Sequence, residues 1–391
     1  MTVLYFADTR FPIERANGVQ MMATCYALAR RGHDVTLVTR PDSAASARDP
    51  FAFYDWPPIS TLRVNTIGVS GGARGRRVRF LLGSARVAAS ARDAVVFTRD
   101  LGLAAWLLQI PRLARPPLVY ESHGLADVVA AEMPRLLGDA QPAPSPAKLR
   151  RLARREQRVW KRAGAYVAIT RGIADELTTR FGGRANVFVV PDGARAQPPE
   201  PARGSEPFVA AYAGHLYPWK GVDVFVQALA AVPGVHGLIV GGHQGEQDLN
   251  RVRGLVRALR LESRIEITGM VPPGDVPRRL ARASALVLPN TATAISERYT
   301  SPLKLFEYLS VGRPIVASDL ASVREVLTDE QTALLVPPGD AHAMAGALMR
   351  LQRDPALAAQ LAAGAARLAP QYTWDARAVR LEAALGAARS A

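Results

Sequence analysis

The sequence predicts an α/β protein of two similar domains, each a doubly wound parallel sheet covered by helices, facing each other across a cleft. Three observations lead there. Short apolar, β-rich runs alternate with helical patterns along the chain, which is the trace a parallel sheet with helical crossovers leaves in a sequence. The alternation stops at a stretch rich in proline, glycine and polar residues, 191–208, and then restarts. The length, 391 residues, is enough for two domains of ordinary size.

In the first half the strands read as VLYFA (3–7), DVTLVT (34–39), AVVFT (94–98), PLVYE (117–121), AYVAIT (165–170) and NVFVVP (186–191). A helix, VQMMATCYALARRGH (19–33), follows the first of them after a turn at Asn17-Gly18. The tract GDAQPAPSPAK (138–148) reads as a loop. In the second half the strands are FVAAYAG (208–214), VHGLIVGG (235–242), RIEITG (264–269), ALVLP (285–289), PIVAS (314–318) and TALLVP (332–337). The chain closes on a helix, with Thr373 as its N-cap.

Composition excludes several classes. At 49% hydrophobic and 21% charged residues the chain is globular and not disordered. It holds no run of about 18 apolar residues, the length a membrane-spanning helix needs. The opening MTVLYFADTR reads as a strand and not as a leader peptide. The single cysteine, Cys25, lies in an apolar helical pattern and is a core residue, which fits a reducing cytoplasm. The net charge is +15 and unevenly spread. Residues 71–92 carry six arginines and no acid, and residues 148–162 carry eight basic residues against Glu156. Such segments attract polyanions, and the partners they suggest are an anionic membrane leaflet, on the cytoplasmic face, or a lipid-linked phosphate. Nucleic acid is not expected, because neither segment interleaves stacking aromatics with its charges. No group of His, Asp and Glu shows metal-ligand spacing, so neither a metal nor another cofactor is expected.

Ligands of a doubly wound sheet bind beyond the carboxyl ends of the strands. Two loops there hold two of the chain's only four lysines. In SPLKLFEYLSVG (301–312), Ser301 suits an N-cap, Pro302 the first helical position and Gly312 the stop. Leu303, Phe306, Leu309 and Ser310 make the core face. The free N–H groups at 301–304, with Lys304 beside them, form an anion site, and Glu307 one turn on can accept hydrogen bonds from sugar hydroxyls. In YAGHLYPWKGVDVFVQAL (212–229), Gly214 allows close backbone approach, and Lys220 stands at the start of a helix. A lysine at that dipole end makes sense if an anion lies against it. Glu121 ends the strand 117–121 and His123 follows it, a frequent place for functional side chains. GGHQGE (241–246) reads as a turn into the next helix.

With these residues in order the chain resembles the retaining glycosyltransferases of family 4, whose GT-B fold is two Rossmann-like domains facing across a cleft. The resemblance rests on RANGVQMMATCYALARRGHDVTLVT, VYESHG, YVAITRGIADEL, VFVVPDGA, YAGHLYPWKGVDVFVQAL, LIVGGHQ, RIEITGMV and SPLKLFEYLSVGRPIVASDLASVREVL. It implies an acceptor-binding domain over 1–195, completed by the helix 373–391, and a donor-binding domain over 196–372. It places Lys220 on the donor diphosphate, Glu307 on the ribose, Gly18 in the glycine loop near the phosphates and His123 near the transferred sugar. Gly269 and Met270 form the nucleobase rim. Two positions depart from the family pattern. The first glutamate of the Glu-x7-Glu motif is replaced by Tyr299, with Glu297 two residues away, and the arginine that partners the KG lysine is replaced by His215. Lys304 stands where it can supply that missing cation.

The expected reaction moves a sugar from a nucleotide-diphosphate-sugar to an acceptor hydroxyl, with retention, in the synthesis of a surface polysaccharide, a lipid-linked oligosaccharide or a glycolipid. Lys220, Lys304, His215 and the helix start neutralise the leaving diphosphate, and His123 positions the sugar or the acceptor. The alternatives are a nucleotide-binding scaffold without turnover, motivated by Tyr299 and His215, and a nucleotide-sugar epimerase of the same fold.

Overall fold

The computed structural model describes residues 1–43, 47–68, 72–137, 142–197, 207–243 and 247–391. Half of the expected linker at 191–208, residues 198–206, lies outside the described residues. So do parts of the loop at 138–148 and the turn at 241–246, and Gly71 at the edge of the first basic segment. The chain divides into two compact units: Met1–Ala131 with Pro144–Asp192 and Trp374–Ala391, and Glu132–Ala143 with Gly193–Thr373.

The first unit is built on seven parallel strands: β1 (Thr2–Arg10), β2 (Asp34–Arg40), β3 (Leu62–Thr66), β4 (Val95–Thr98), β5 (Leu118–Ser122), β6 (Ala165–Ala168) and β7 (Val187–Val189). Their order in the sheet is β3-β2-β1-β4-β5-β6-β7. The order reverses between β1 and β4, the switch point where such sheets place ligands. Central strands such as β4 and β6 are buried along their whole length and therefore read as continuous apolar runs. The edge strand β3 was not legible in the sequence: it buries only Leu62 and otherwise carries Arg63, Val64, Asn65 and Thr66. The last helix, Trp374–Ser390, belongs to this unit and buries Trp374, Arg377, Ala378, Leu381 and Leu385 against the helix Ala16–Arg30 and strands β5 and β6.

The second unit holds β8 (Phe208–Ala213), β9 (Val235–Val240), β10 (Ile265–Gly269), β11 (Ala285–Leu288), β12 (Ile315–Ser318) and β13 (Leu334–Val336), in the order β10-β9-β8-β11-β12-β13. All are parallel, and the switch point lies between β8 and β11. One apolar layer, around Phe225, Ile239, Val287 and Leu348, fills one side of the sheet, and a second, around Leu286, Leu305, Phe306 and Leu309, fills the other.

Three local expectations are corrected. The helix of the SPLKLFEY stretch is Leu303–Val311, so Pro302 is its N-cap and Ser301 lies outside it. The extended ψ of Pro302, 122°, delays the first helical residue by one, and the Pro302 carbonyl accepts from Leu305 N–H at 2.9 Å. The buried face is Lys304, Leu305, Phe306, Tyr308 and Leu309, whereas Leu303 and Ser310 are half-buried. Lys220 does not open a helix. It ends a short 3-10 turn, Pro218–Lys220, and the helix Val222–Ala230 starts after Gly221. Gly18 is not in a loop but in the first turn of the helix Ala16–Arg30, where a Cβ would lie 2.3 Å from Tyr54 Oη and 2.5 Å from the Ile13 carbonyl.

The second basic segment forms the helix Pro146–Arg162, whose one acid, Glu156, is fully buried. Tyr166 Oη donates to Glu156 Oε1 at 2.6 Å, and the Ala126 amide donates to Oε2 at 3.1 Å. Burial nevertheless pushes the carboxyl from its ordinary 4.5 up to about 7. Because the folded value is raised, the folded protein holds this proton more tightly than the unfolded chain. Stability from this group is therefore full below pH 4.5 and is lost as pH rises to about 7. Glu156→Gln imitates the protonated acid, since its amide donates to Tyr166 and its carbonyl accepts from Ala126. We expect denaturant unfolding of the wild type, compared with this variant, to show an excess loss of about 3 kcal/mol over that interval. A parallel pair of pH curves would refute the assignment.

Candidate active site

In the second unit the polar groups gather beyond the carboxyl ends of β8, β11 and β12. The chain leaves β8 through Gly214, at φ +125°, and the corresponding glycine after β9, Gly241, is so close that a Cβ would stand 2.1 Å from the Gly214 carbonyl. The next residues, His215, Tyr217 and Trp219, stack their rings, with centroids 5.0 Å and 4.6 Å apart and planes within 13° and 11° of parallel. Gly221 then turns the chain in the left-handed region. Thr291, after β11, ties this turn down by donating its N–H to the Trp219 carbonyl at 3.1 Å.

Lys304 comes from the first turn of the helix Leu303–Val311 and is 9% exposed. Its Nζ donates to Tyr212 Oη at 2.6 Å and sits 3.8 Å from the centre of the same ring. Tyr212 Oη in turn donates to the His215 carbonyl at 2.5 Å. A Cβ on Gly214 would be 3.1 Å from Nζ, so the ammonium lies directly under the bare Gly214 backbone. Burial pushes Lys304 well below its ordinary value; Lys220 adds like-charge repulsion, and Glu307 opposes both. Burial also brings Lys220 down to about 8. Glu307 is raised by burial, with Lys304 pulling it back. Among the described residues no carboxylate lies within ion-pair distance of either lysine. Two cations thus converge beside a helix N-terminus that no side chain caps.

Other expected donor residues are placed as follows. Gly269, at φ +71°, bridges to Gly241, and Met270 beside it is 42% exposed. Tyr299 is buried at 3% exposure, and Glu297 accepts from the Ala321 amide at 3.5 Å. Two further residues were not legible in the sequence. Asn290, after β11, and Ser318, at the end of β12, are buried, and Asn290 Oδ1 and Ser318 Oγ have no hydrogen-bond partner among the described residues. Nothing local in the sequence marks them, because orphaned oxygens are visible only once the strand ends are assembled.

The first unit holds a second polar cluster at the ends of β1, β4 and β5. Glu121 is fully buried and is its hub. Oε1 accepts from Gln20 Nε2 at 2.7 Å and from His123 Nε2 at 2.6 Å, while Oε2 pairs with the Arg377 guanidinium. Arg99 donates to Gln20 Oε1 at 3.1 Å, which turns the Gln20 amide toward Glu121. Burial works to raise the Glu121 carboxyl, but Arg377, then His123 and Arg99, hold it down to about 2. His123 is lowered by burial and by Arg99, against the pull of Glu121. The imidazole is therefore favoured in its neutral form at neutral pH. Gly18 joins no such network; its missing side chain makes room for Ile13 and Tyr54.

Known proteins give this geometry its context. The family described as "Glycosyl transferases group 1" matches residues 207–354, and the "Glycosyl transferase 4-like domain" matches 17–193. A D-inositol 3-phosphate glycosyltransferase of Actinosynnema mirum is 30% identical over 404 aligned positions, covering 95% of this chain and 92% of that protein. The chain belongs to the group 1 glycosyltransferases. This glycosyltransferase also matches a sucrose-phosphate synthase of Thermosynechococcus elongatus at a TM-score of 0.75, with 21% identity and 97% of each chain covered. It matches the Anabaena protein HepE, solved in complex with UDP-glucose, at 0.73, with 18% identity and 99% of each chain covered. These likenesses identify the two parallel-sheet units as Rossmann-like domains of the GT-B kind. Among the described residues no helix of this transferase is long and apolar enough to cross a membrane.

Proposed function

We propose that this enzyme transfers a sugar, with retention, from a nucleoside-diphosphate sugar to an acceptor hydroxyl, the second unit holding the donor and the first the acceptor. The observation that carries this reading is the pair of desolvated lysines, Lys220 and Lys304, converging on an uncapped helix start with no carboxylate within ion-pair distance among the described residues. A buried cation with no counter-ion is costly unless a bound anion completes it. A diphosphate would do so and would gain further stabilisation as charge develops on it during bond cleavage. Two fixed cations perform the charge neutralisation for which other transferases use a metal ion, so transfer is expected to survive chelators. Glu307 accepts from the ribose, Gly269 and Met270 border the base, and Asn290 and Ser318 lie where donor hydroxyls could satisfy their orphaned oxygens. His123 presents its ring to a sugar hydroxyl. HepE, bound to UDP-glucose, supports the donor class.

The test is thermal unfolding with UDP, GDP, ADP and dTDP in turn, followed by the matching sugar conjugates. One nucleotide at 100 times its Kd should stabilise the protein by about 2.7 kcal/mol, and the anomeric configuration of the product should equal that of the donor. No stabilisation by any nucleotide, in protein shown to be folded, would remove the donor site from the second unit.

The lysines also set a pH dependence. Lys220 is lowered to about 8 in the free protein, and a bound diphosphate returns it toward its ordinary value. Nucleotide binding should therefore take up a proton near pH 8, and affinity should fall as pH rises through that value. Calorimetry in buffers of different ionisation enthalpy reads this directly. Binding heats that do not vary with the buffer would contradict it.

We further propose that the acceptor is presented at an anionic lipid surface, through the helix Ala73–Ser90. It exposes Val78 and Leu82, 54% and 50%, one turn apart among Arg74, Arg76, Arg79 and Arg86. Apolar side chains set among arginines suit an interface where the apolar groups enter the headgroup layer. Replacing Val78 and Leu82 with serine should weaken binding to phosphatidylglycerol vesicles roughly ten-fold. Equal binding by wild type and variant, or none by either, would refute the surface.

A further inference from the structure

We infer that Arg377, on the last helix of the chain, is a positioning residue that fixes the tautomer of His123 by acting through Glu121. The inference rests on the reading above that His123 serves the reaction. A carboxylate accepts hydrogen bonds and donates none. The 2.6 Å contact between His123 Nε2 and Glu121 Oε1 therefore requires the proton on Nε2, and it leaves the lone pair on Nδ1 for a sugar hydroxyl. That arrangement lasts only while Glu121 is ionised, and Glu121 is fully buried, where ionisation is opposed.

Arg377 supplies the compensation. It is 1% exposed, pairs with the Glu121 oxygen that His123 does not use, and lies 3.7 Å from Asp192 through Nε. Its Nε and Nη1 make no hydrogen bond among the described residues. An arginine retained as a structural bolt would satisfy those donors; here the guanidinium contributes mainly its charge. The other groups facing the pair act on geometry or balance the field. Gln20 shares Oε1, Arg99 orients Gln20, Asp192 stands behind Arg377, and Tyr5 and Cys25 face Glu121 from β1 and the helix Ala16–Arg30. The geometry is a carboxylate–histidine dyad whose orienting carboxylate is itself held ionised by a residue 256 positions away.

The experiment is nitrogen NMR of the full-length protein labelled at histidine, with the His123 signals assigned by their loss in His123→Asn. In the wild type His123 is expected as the Nε2–H tautomer. Arg377→Gln removes a compensating charge, so the Glu121–His123 pair should take up a proton at a pH higher by about one unit or more. The rate constant kcat should fall about ten-fold or more with KM for the donor nearly unchanged. Arg377→Lys should restore the wild-type midpoint and tautomer. If Arg377→Gln does not fold, the neutral pair Glu121→Gln/Arg377→Gln replaces it, because removing both charges leaves none buried alone. There His123 should show both tautomers, since an amide can donate or accept. A wild-type tautomer and midpoint in folded Arg377→Gln, or in the double variant, would overturn the inference. Unchanged transfer by His123→Asn would instead overturn the role of His123, and the tautomer readout would still decide the role of Arg377.

Discussion

Replacing Lys304 with methionine is expected to lower kcat/KM for the donor about 10²- to 10³-fold while leaving the free protein as stable or more stable. The two halves of this expectation have one origin. Lys304 is buried in a shell that penalises its charge: Lys220 repels it, Tyr212 gives it one hydrogen bond, and among the described residues no carboxylate pairs with it. Methionine keeps an unbranched stem in the space beside the Tyr212 ring and Gly214 and removes the penalised group. The charge therefore costs stability in the free protein and contributes only when an anion is bound. A charge-assisted hydrogen bond of this kind contributes about 1.5–3 kcal/mol, and more as the leaving diphosphate gains charge. Lys220→Met should lose affinity similarly, and the double variant should lose less than the sum, because each lysine repels the other in the free site. The measurement is thermal unfolding with and without the nucleotide, alongside steady-state kinetics. Undiminished nucleotide binding in Lys304→Met would show that its cation faces no diphosphate, and the helix start with Lys220 alone would then carry the donor.

Much of this site was visible in the sequence, and the part that was not has a physical reason. The alternation of apolar runs and helices revealed both sheets, because strands buried on two faces leave continuous apolar signatures. It failed at Leu62–Thr66, an edge strand with one buried residue. The KG turn and the SPLKLFEY helix announced themselves through glycine, proline and lysine, residues with few other reasons to stand together. Helix starts were misjudged by one or two positions, since a proline at 302 and a left-handed glycine at 221 shift the cap without altering composition. Gly18, expected in a loop, stands in the first turn of a helix, and the packing that leaves no room for a side chain there, against Tyr54 and Ile13, was not legible in the sequence. The Glu121 network was legible only in part. His123 is two residues away and was noticed, whereas Gln20 and Arg377 lie 101 and 256 residues from Glu121 and meet it only through the fold. An arginine in a helix of a chain with 49 basic residues carries no local mark of burial. The ring stack of His215, Tyr217 and Trp219 was hidden for a related reason. His215 and Tyr217 precede the 3-10 turn Pro218–Lys220 and Trp219 lies within it, so no single residue period announces the stack.

Gly221→Ala is expected to be the most damaging single-methyl change in the second unit, costing about 4 kcal/mol or more, a size reached only by named steric or core defects. Gly221 has φ +70°, where an L side chain already costs about 1–2 kcal/mol. Its Cβ would also fall 1.7 Å from the carbonyl oxygen of Pro289, a backbone atom at the end of β11 that no rotamer change can move. Relief requires the Pro218–Lys220 turn to lift away from β11. That movement breaks the bond from Thr291 to the Trp219 carbonyl and carries Lys220 away from Lys304. The variant should therefore lose nucleotide-induced stabilisation together with folding stability, in contrast to Lys304→Met, which loses only the first. Gly346→Ala is the matched control. Gly346 lies within the helix Ala341–Arg353, and a Cβ there would meet nothing within 4 Å, so the same substitution should stabilise the protein by roughly 0.5–1 kcal/mol. Urea unfolding of the two variants measures both effects on one scale. A Gly221→Ala protein that unfolds like the wild type and still binds nucleotide would mean that the turn can be rebuilt without its left-handed residue, and the placement of Lys220 would then not depend on contact with β11.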